Sequence, residues 1–291
     1  MIRPRDKRIL IGSFLPLAPP ERGKMTDLTT PGDYLAAMRA QAPLVQCITN
    51  YVAMNIAANS LLAAGASPAM VHAAEEAGDF ARFAAALTIN IGTLSPAWMD
   101  GMTVAARNAR AAGVPWVFDP VAHFATAYRR QTTETLMALR PDIIRGNASE
   151  ILALAGGESA AKGVDARDPV HAAEDAARQL AGERGAVVAV TGETDFVTDG
   201  TRALRISGGS PLMPKVTALG CSLTCLIGAY AGVKGADLFD ATAAALSHFA
   251  VAGAHAEVKA KGPGSFSVHF LDQLAALDGA GLDAADRREV A

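Results

Sequence analysis

An α/β fold, a mostly parallel central sheet with helices on both faces, is predicted by three observations. Short β-forming runs alternate with helical patterns along nearly the whole chain, which is how strands and crossover helices appear in sequence. Half of the 291 residues are apolar, aromatics are few, and Ala and Gly abound, which suits helices packed tightly on a sheet. Polar residues recur where the strands end, and ligands in such sheets bind outside the carboxyl ends of the strands.

Taken in order, Pro31–Ala40 reads as a helix, with Thr30 as N-cap and Pro31 at its first position. Leu44–Thr49 is a strand that runs into a long Ala-rich helix from Asn50 to Ala64. Gly65-Ala66-Ser67-Pro68 breaks that helix before a short strand, Ala69–Val71, and a helix, Ala73–Phe83. Ala86–Gly92 is a buried strand, and Pro96–Ala112 a helix stopped by Gly113. Pro115–Val121 is a strand ending at Asp119, followed by a helix, Gln131–Leu139. Ile143-Ile144 is a strand, and residues 145–150 turn into a helix over 149–155.

Residues 156–168, Gly-rich and polar, read as loop. Pro169–Leu180 is a helix, Ala186–Gly192 a strand, and Asp195–Ser207 a hairpin with Asp199-Gly200 at its turn. Helices over about 221–231 and 237–258 follow, and a last strand and helix come after Lys261-Gly262-Pro263-Gly264. No linker or repeat interrupts the pattern, so residues 31–291 form one domain.

The totals exclude several classes. A net charge of −3 offers no basic field for nucleic acid or an acidic membrane surface. Three irregularly spaced cysteines argue against a disulfide framework and for the reducing cytoplasm. No apolar run reaches the ~18 residues of a membrane span. Arg3, Arg5, Lys7 and Arg8 before Ile9–Leu15 mimic a signal peptide, but Pro16, Pro19 and Pro20 interrupt the apolar part. Residues 1–30 read as a disordered extension, with Met25 as a candidate initiator.

Chemistry concentrates at Lys215–Cys225, a short loop that ends in Gly220 and feeds an apolar helix. Gly admits a ligand close to backbone, and the first N–H groups of a helix face an anion. Cys221, in the first turn, would have its thiolate favoured by the same field. The plainer alternative is a small buried hydrophobe. Asn147 and Glu150, three apart at a helix start, form either a capping pair or a carboxylate that organises waters around Mg²⁺. Arg145 offers a fork suited to phosphate, or is a surface arginine. Asp119 handles magnesium, helps with the substrate hydroxyl, or only caps a neighbouring turn. Thr191-Gly192 holds a nucleotide phosphate or turns the chain, and Met70 is core or ligand contact. His248 and His255, seven apart on one helix, are packing residues.

Eight short blocks stand out: Pro43–Val52, Gly65–Met70, Ile89–Leu94, Asp119–Val121, Ile144–Glu150, Lys162–Asp165, Val190–Glu193 and Lys261–Phe266. Together, and in this order across roughly residues 33 to 275, they resemble the hydroxyethylthiazole kinase family, of the ribokinase-like superfamily. The resemblance implies a ribokinase-like α/β fold, a homotrimer with sites between subunits, and Mg²⁺. It also implies transfer of the ATP γ-phosphoryl group to the alcohol of 4-methyl-5-(2-hydroxyethyl)thiazole, in thiamine salvage. By position it makes Met70 a thiazole contact, with Asn50 a further wall, and gives Arg145 and Thr191 to ATP. Asn147-x-x-Glu150 is similar to the superfamily's magnesium and phosphate motif, with Asp119 nearby. Cys221 stands where related sugar kinases carry the aspartate base.

Two departures accompany the resemblance. Where the family reads Thr-Gly-Thr-Gly-Cys, this chain has Thr217-Ala218-Leu219-Gly220-Cys221, so Ala218 replaces a glycine that lines the substrate site. An Ala there is strained if its φ is positive. His123-Phe124 replaces a Gly-containing loop after Asp119-Pro120-Val121. The rivals are a kinase for another small alcohol, such as hydroxymethylpyrimidine, and a kinase-derived binder without turnover. A nicotinamide oxidoreductase is weakened by the lack of Gly-x-Gly-x-x-Gly after an early strand.

Overall fold

The computed structural model describes residues 28–163 and 169–291, without the side chains of 157–163 and 169–172. Most of the expected N-terminal extension, Met25 included, lies outside the described residues, as do 164–168 of the expected loop. Thr30 already belongs to the fold. It caps α1 (Pro31–Gln41) in a reciprocal box, its Oγ1 accepting from Asp33 N at 3.1 Å while Asp33 Oδ2 accepts from Thr30 N at 3.0 Å.

The chain continues through β1 (Leu44–Ile48), α2 (Met54–Ala64), β2 (Ser67–Ala69), α3 (Ala74–Ala81), β3 (Ala86–Asn90) and α4 (Pro96–Ala112). Next come β4 (Trp116–Asp119), α5 (Ala127–Ala138), β5 (Ile143–Asn147), α6 (Ala148–Gly163), α7 (Pro169–Arg184) and β6 (Val187–Thr191). The hairpin β7 (Thr194–Thr198) and β8 (Ala203–Ser207) leads to α8 (Leu219–Ala231), α9 (Leu238–Lys259), α10 (Pro263–Ala276), α11 (Gly279–Ala285) and β9 (Arg288–Val290).

The larger differences from the sequence reading each have a local reason. Helix α2 starts at Met54, because Asn50 Oδ1 accepts from the N–H groups of Val52 and Ala53, both at 3.1 Å, and holds 50–53 as a turn. β2 ends where a strand was expected to begin, since its register against β1 pairs Leu44 with Ser67 and Gln46 with Ala69. Helix α5 begins four residues before Gln131, capped by Thr126. Helix α6 runs on through Gly156 and Gly157 where a loop was expected, the helix formers on either side outweighing ~1 kcal/mol per glycine. The C-terminal order is helix, helix, strand: Pro263 sits in the first turn of α10, and Phe266, Phe270 and Leu274 bury one helical face.

The nine-stranded sheet has the order β2-β1-β3-β4-β5-β6-β7-β8-β9. The pairs from β2 through β6 are parallel, and those from β6 through β9 antiparallel. Successive strand residues feed opposite cores: Val117 packs with α1, α2, α8, α9 and α10, while Trp116 and Phe118 pack with α3 to α7. Helix α8 lies close on the sheet; a Cβ at Gly228 would collide with the Thr88 side chain on β3. This proximity sets its amino end over the exits of β3, β4 and β5. Among the described residues no helix is long and apolar enough to cross a membrane.

Candidate active site

The exits of five parallel strands meet at the amino end of α8. A hydrogen-bonded chain runs across them. Asn50, just after β1, donates from Nδ2 to Asn90 Oδ1 at 2.8 Å, and Asn90, ending β3, donates from its Nδ2 to Asp119 Oδ2 at 2.7 Å. Asp119, ending β4, is fully buried, and its Oδ2 also accepts from Thr224 Oγ1 at 2.7 Å and Arg145 at 3.4 Å. Arg145, on β5, donates to Thr191 Oγ1 at 2.6 Å at the end of β6. Burial pushes the Asp119 carboxyl above its usual range, with Arg145 opposing.

Arg145 lies against the helix that the sequence singled out. A Cβ at Gly220 would sit 3.0 Å from both terminal nitrogens of Arg145, so a side chain there would push the guanidinium back by a fraction of an ångström. The residue before the helix, Ala218, has φ of 63°, the left-handed region that an L side chain enters at a cost. No side chain caps α8, so its first N–H groups stay open. Ala218, Leu219 and Gly220 border a cleft of about 1060 Å³ that Arg145, Asn147 and Thr191 also line.

Cys221 corrects an expectation. Its Sγ accepts from Asn50 Nδ2 and Asn90 Nδ2, each at 3.3 Å. Burial, with the nearby Asp119 charge, pushes the thiol up to about 11, so at neutral pH it is a thiol and not the thiolate a helix field favours.

Asn147 and Glu150 do form the capping pair: Asn147 Oδ1 accepts from Glu150 N at 3.0 Å, and Glu150 Oε2 from Asn147 N at 2.9 Å. Glu150 Oε1 accepts from Ala122 N at 2.9 Å, and the ring of His123 lies 3.0 Å from the Glu150 carbonyl through Nε2. The His123 departure thus packs the loop after β4 onto α6. Ala122 itself has φ of 47°.

Among the described residues no three His, Cys, Asp or Glu side chains cluster so as to hold a metal alone. The Asp119 Oδ1 is buried without a partner, and Asn147 is exposed at the cleft. That donor set fits a hard cation that arrives on phosphates and keeps most of its waters.

Met70 stands apart from the hydrogen-bonded chain. It follows β2, one strand outside Asn50, and packs against the core. Four participants escaped the sequence reading: Asn90, Thr224, Asp195 and Arg129. Asn90 is a polar residue inside an apolar strand, and Thr224 falls three after Cys221, so both carried a signal. Asp195 accepts from Gly192 N at 3.0 Å at the cleft wall, and burial raises it to about 6. His248 is a packing residue as expected, buried with its Nδ1 2.9 Å from Tyr230 Oη.

The fold is α/β of the ribokinase-like type, with the cleft at the shared exit edge of the parallel strands. At the level of fold alone, the chain is similar to Bacillus subtilis pyridoxal kinase, solved as an ADP complex (TM-score 0.53, 17% identity, 72% of this chain and 91% of that one). More specifically, the chain belongs to the Hydroxyethylthiazole kinase family, whose profile matches residues 35–279. It is 69% identical over 263 residues to the hydroxyethylthiazole kinase of Rhizobium johnstonii, covering 90% of this chain and 98% of the relative. It is 65% identical over 248 residues to that of Gemmatimonas aurantiaca, covering 85% and 89%. The solved hydroxyethylthiazole kinase protein of Pyrococcus horikoshii OT3 superposes with a TM-score of 0.82 at 36% identity, over 90% of this chain and 98% of that one.

Proposed function

We propose that this chain transfers the γ-phosphoryl group of ATP to the hydroxyl of 4-methyl-5-(2-hydroxyethyl)thiazole, yielding the thiazole phosphate used in thiamine salvage. The observation that carries phosphoryl transfer is the Arg145 guanidinium resting on Gly220 at the uncapped start of α8, with Cys221 in the next position. The identity of the alcohol rests on relatives of up to 69% identity that carry that activity in their name.

Phosphoryl transfer leaves little covalent work to the protein, so positioning and charge stabilisation dominate. The open N–H groups of α8 receive the migrating phosphoryl group, and Arg145, oriented by Thr191 and Asp119, spreads its charge. In a loose transfer the alcohol keeps its proton until late and then passes it to an oxygen of the transferred phosphoryl group, so a neutral Cys221 thiol that orients the hydroxyl suffices. Ala218 at the lip and Asn50 and Met70 at two neighbouring strand exits form the thiazole side. Asp119, Asn147 and Glu150 would hold Mg²⁺ through its waters, and the ion would supply positive charge to the phosphates there.

Asn50 and Met70 sit near the sheet edge, and Tyr51 and Val52 beside Asn50 are exposed apolar side chains. This supports a homotrimer in which a neighbouring subunit completes the thiazole side; sedimentation giving a monomer would remove it. The free cysteines Cys47, Cys221 and Cys225 suit a reducing cytoplasm. The deciding experiment is a panel of alcohols with ATP, with and without Mg²⁺. The thiazole alcohol should be phosphorylated far faster than hydroxymethylpyrimidine or pyridoxal, and only with the metal. ATP binding with no alcohol phosphorylated would make the chain a binder.

A further inference from the structure

Arg129, on α5, sends its guanidinium to the backs of two strand exits. Nη1 donates to the carbonyls of Ile91 and Val121, each at 2.8 Å, and Nη2 to that of Gly92 at 2.6 Å. The last hydrogen bond there between the parallel strands β3 and β4 runs from Ile91 N to Asp119 O, at 3.3 Å. Beyond it the chains part: Gly92 N turns back to Asn90 Oδ1 at 2.9 Å, and Val121 leads into Ala122 at positive φ. The three carbonyls past the ladder's end are gathered by one planar fork. Among the described residues no carboxylate pairs with Arg129, so its charge stays directed at backbone.

We propose that Arg129 is a positioning residue for the transfer site. By clamping the exits of β3 and β4 it fixes Asn90, and through Asn90 the Cys221 thiol. This role rests on the kinase reading above. The residue touches neither nucleotide nor alcohol, and it acts through spacing alone. A misplacement of ~1 Å is enough to cost ~10²-fold in rate. Lys presents a point charge in place of a fork and meets fewer of the three carbonyls.

The test is steady-state kinetics of Arg129→Met and Arg129→Lys, each alone and combined with Asn90→Ala. Arg129→Met should lower kcat by about 10- to 100-fold with both KM values within about threefold, and Arg129→Lys should recover part of it. In the Asn90→Ala background the same change should cost less than about threefold, because the residue it acts through is gone. Additive losses, an unchanged kcat, or a loss confined to KM overturns the proposal. Should Arg129→Met fail to fold, the Lys variant carries the same cycle with the same two outcomes. If the parent enzyme phosphorylates no thiazole alcohol, the kinase reading fails, and positioning is read from Cys221 alkylation by iodoacetamide. Cys47 and Cys225 are buried. A change in that rate of threefold or more in Arg129→Met then supports the clamp, and an unchanged rate overturns it.

Discussion

Two helices point their amino ends at the same cleft, and they are built in opposite ways. The start of α6 is closed: Asn147 and Glu150 satisfy each other's backbone, and the remaining Glu150 oxygen takes the Ala122 amide. The start of α8 is open: Ala218 provides no cap, the chain enters through a positive φ, and Gly220 leaves room for Arg145. A helix end whose donors are already satisfied serves as a fixed wall. One whose donors are left open, with a cation beside it, is where negative charge can be received.

The comparison can be broken most severely at Arg145. Arg145→Met removes the cation from the open end and strands the buried Asp119 carboxylate; kcat/KM for ATP should fall by ~10²–10³-fold in steady-state assays. A loss below tenfold would make the open end sufficient without it. Next comes Cys221. Cys221→Ala should lower kcat by ~10²-fold, the cost of misplacing the alcohol oxygen by ~1 Å, while Cys221→Asp keeps activity because the Asn50 and Asn90 amides can donate to a carboxylate.

The pH profile sharpens this. The deprotonated fraction of a group near 11 grows with rising pH, so a thiolate base would lift kcat about tenfold per pH unit between about 7 and 10. An orienting thiol predicts a flat kcat there. A tenfold rise per unit that vanishes in Cys221→Ala would restore the base role.

Smaller effects separate the two helix starts by stability. Ala218→Gly relieves the left-handed backbone, about 1 kcal/mol, and should raise Tm by about 2 °C. An unchanged or lower Tm would mean that the open end carries no strain. Asn147→Ala breaks the closed end's box and should cost about 1 kcal/mol in chemical denaturation. No loss there would mean the box is redundant.

Much of this was legible in the sequence because it is local. Thr30 and Pro31 announce α1, Gly113 ends α4 in the left-handed region at φ 72°, and Asp199-Gly200 turns the hairpin. The convergence of Asn50, Asp119, Arg145, Thr191 and Cys221 was also readable, since parallel strands share one exit edge. What stayed hidden depends on through-space effects. Burial and the charge of Asp119, not position in a first turn, decide the state of Cys221. Arg129 looks like any charged residue on a polar helix, and only the fold reveals the three carbonyls it reaches. Gly156 and Gly157 read as a break, yet α6 passes through them, because two glycines inside a long helix cost less than ending it.

The most direct measurement is a crystal structure with a non-hydrolysable ATP analogue, Mg²⁺ and the thiazole alcohol. The open-end account predicts the γ-phosphoryl group within hydrogen-bond reach of the N–H groups at Leu219 to Cys221, with Arg145 on its flank and the alcohol oxygen beside Cys221 Sγ. A γ-phosphoryl group seated instead on the start of α6, with the α8 amides facing only water, would contradict it.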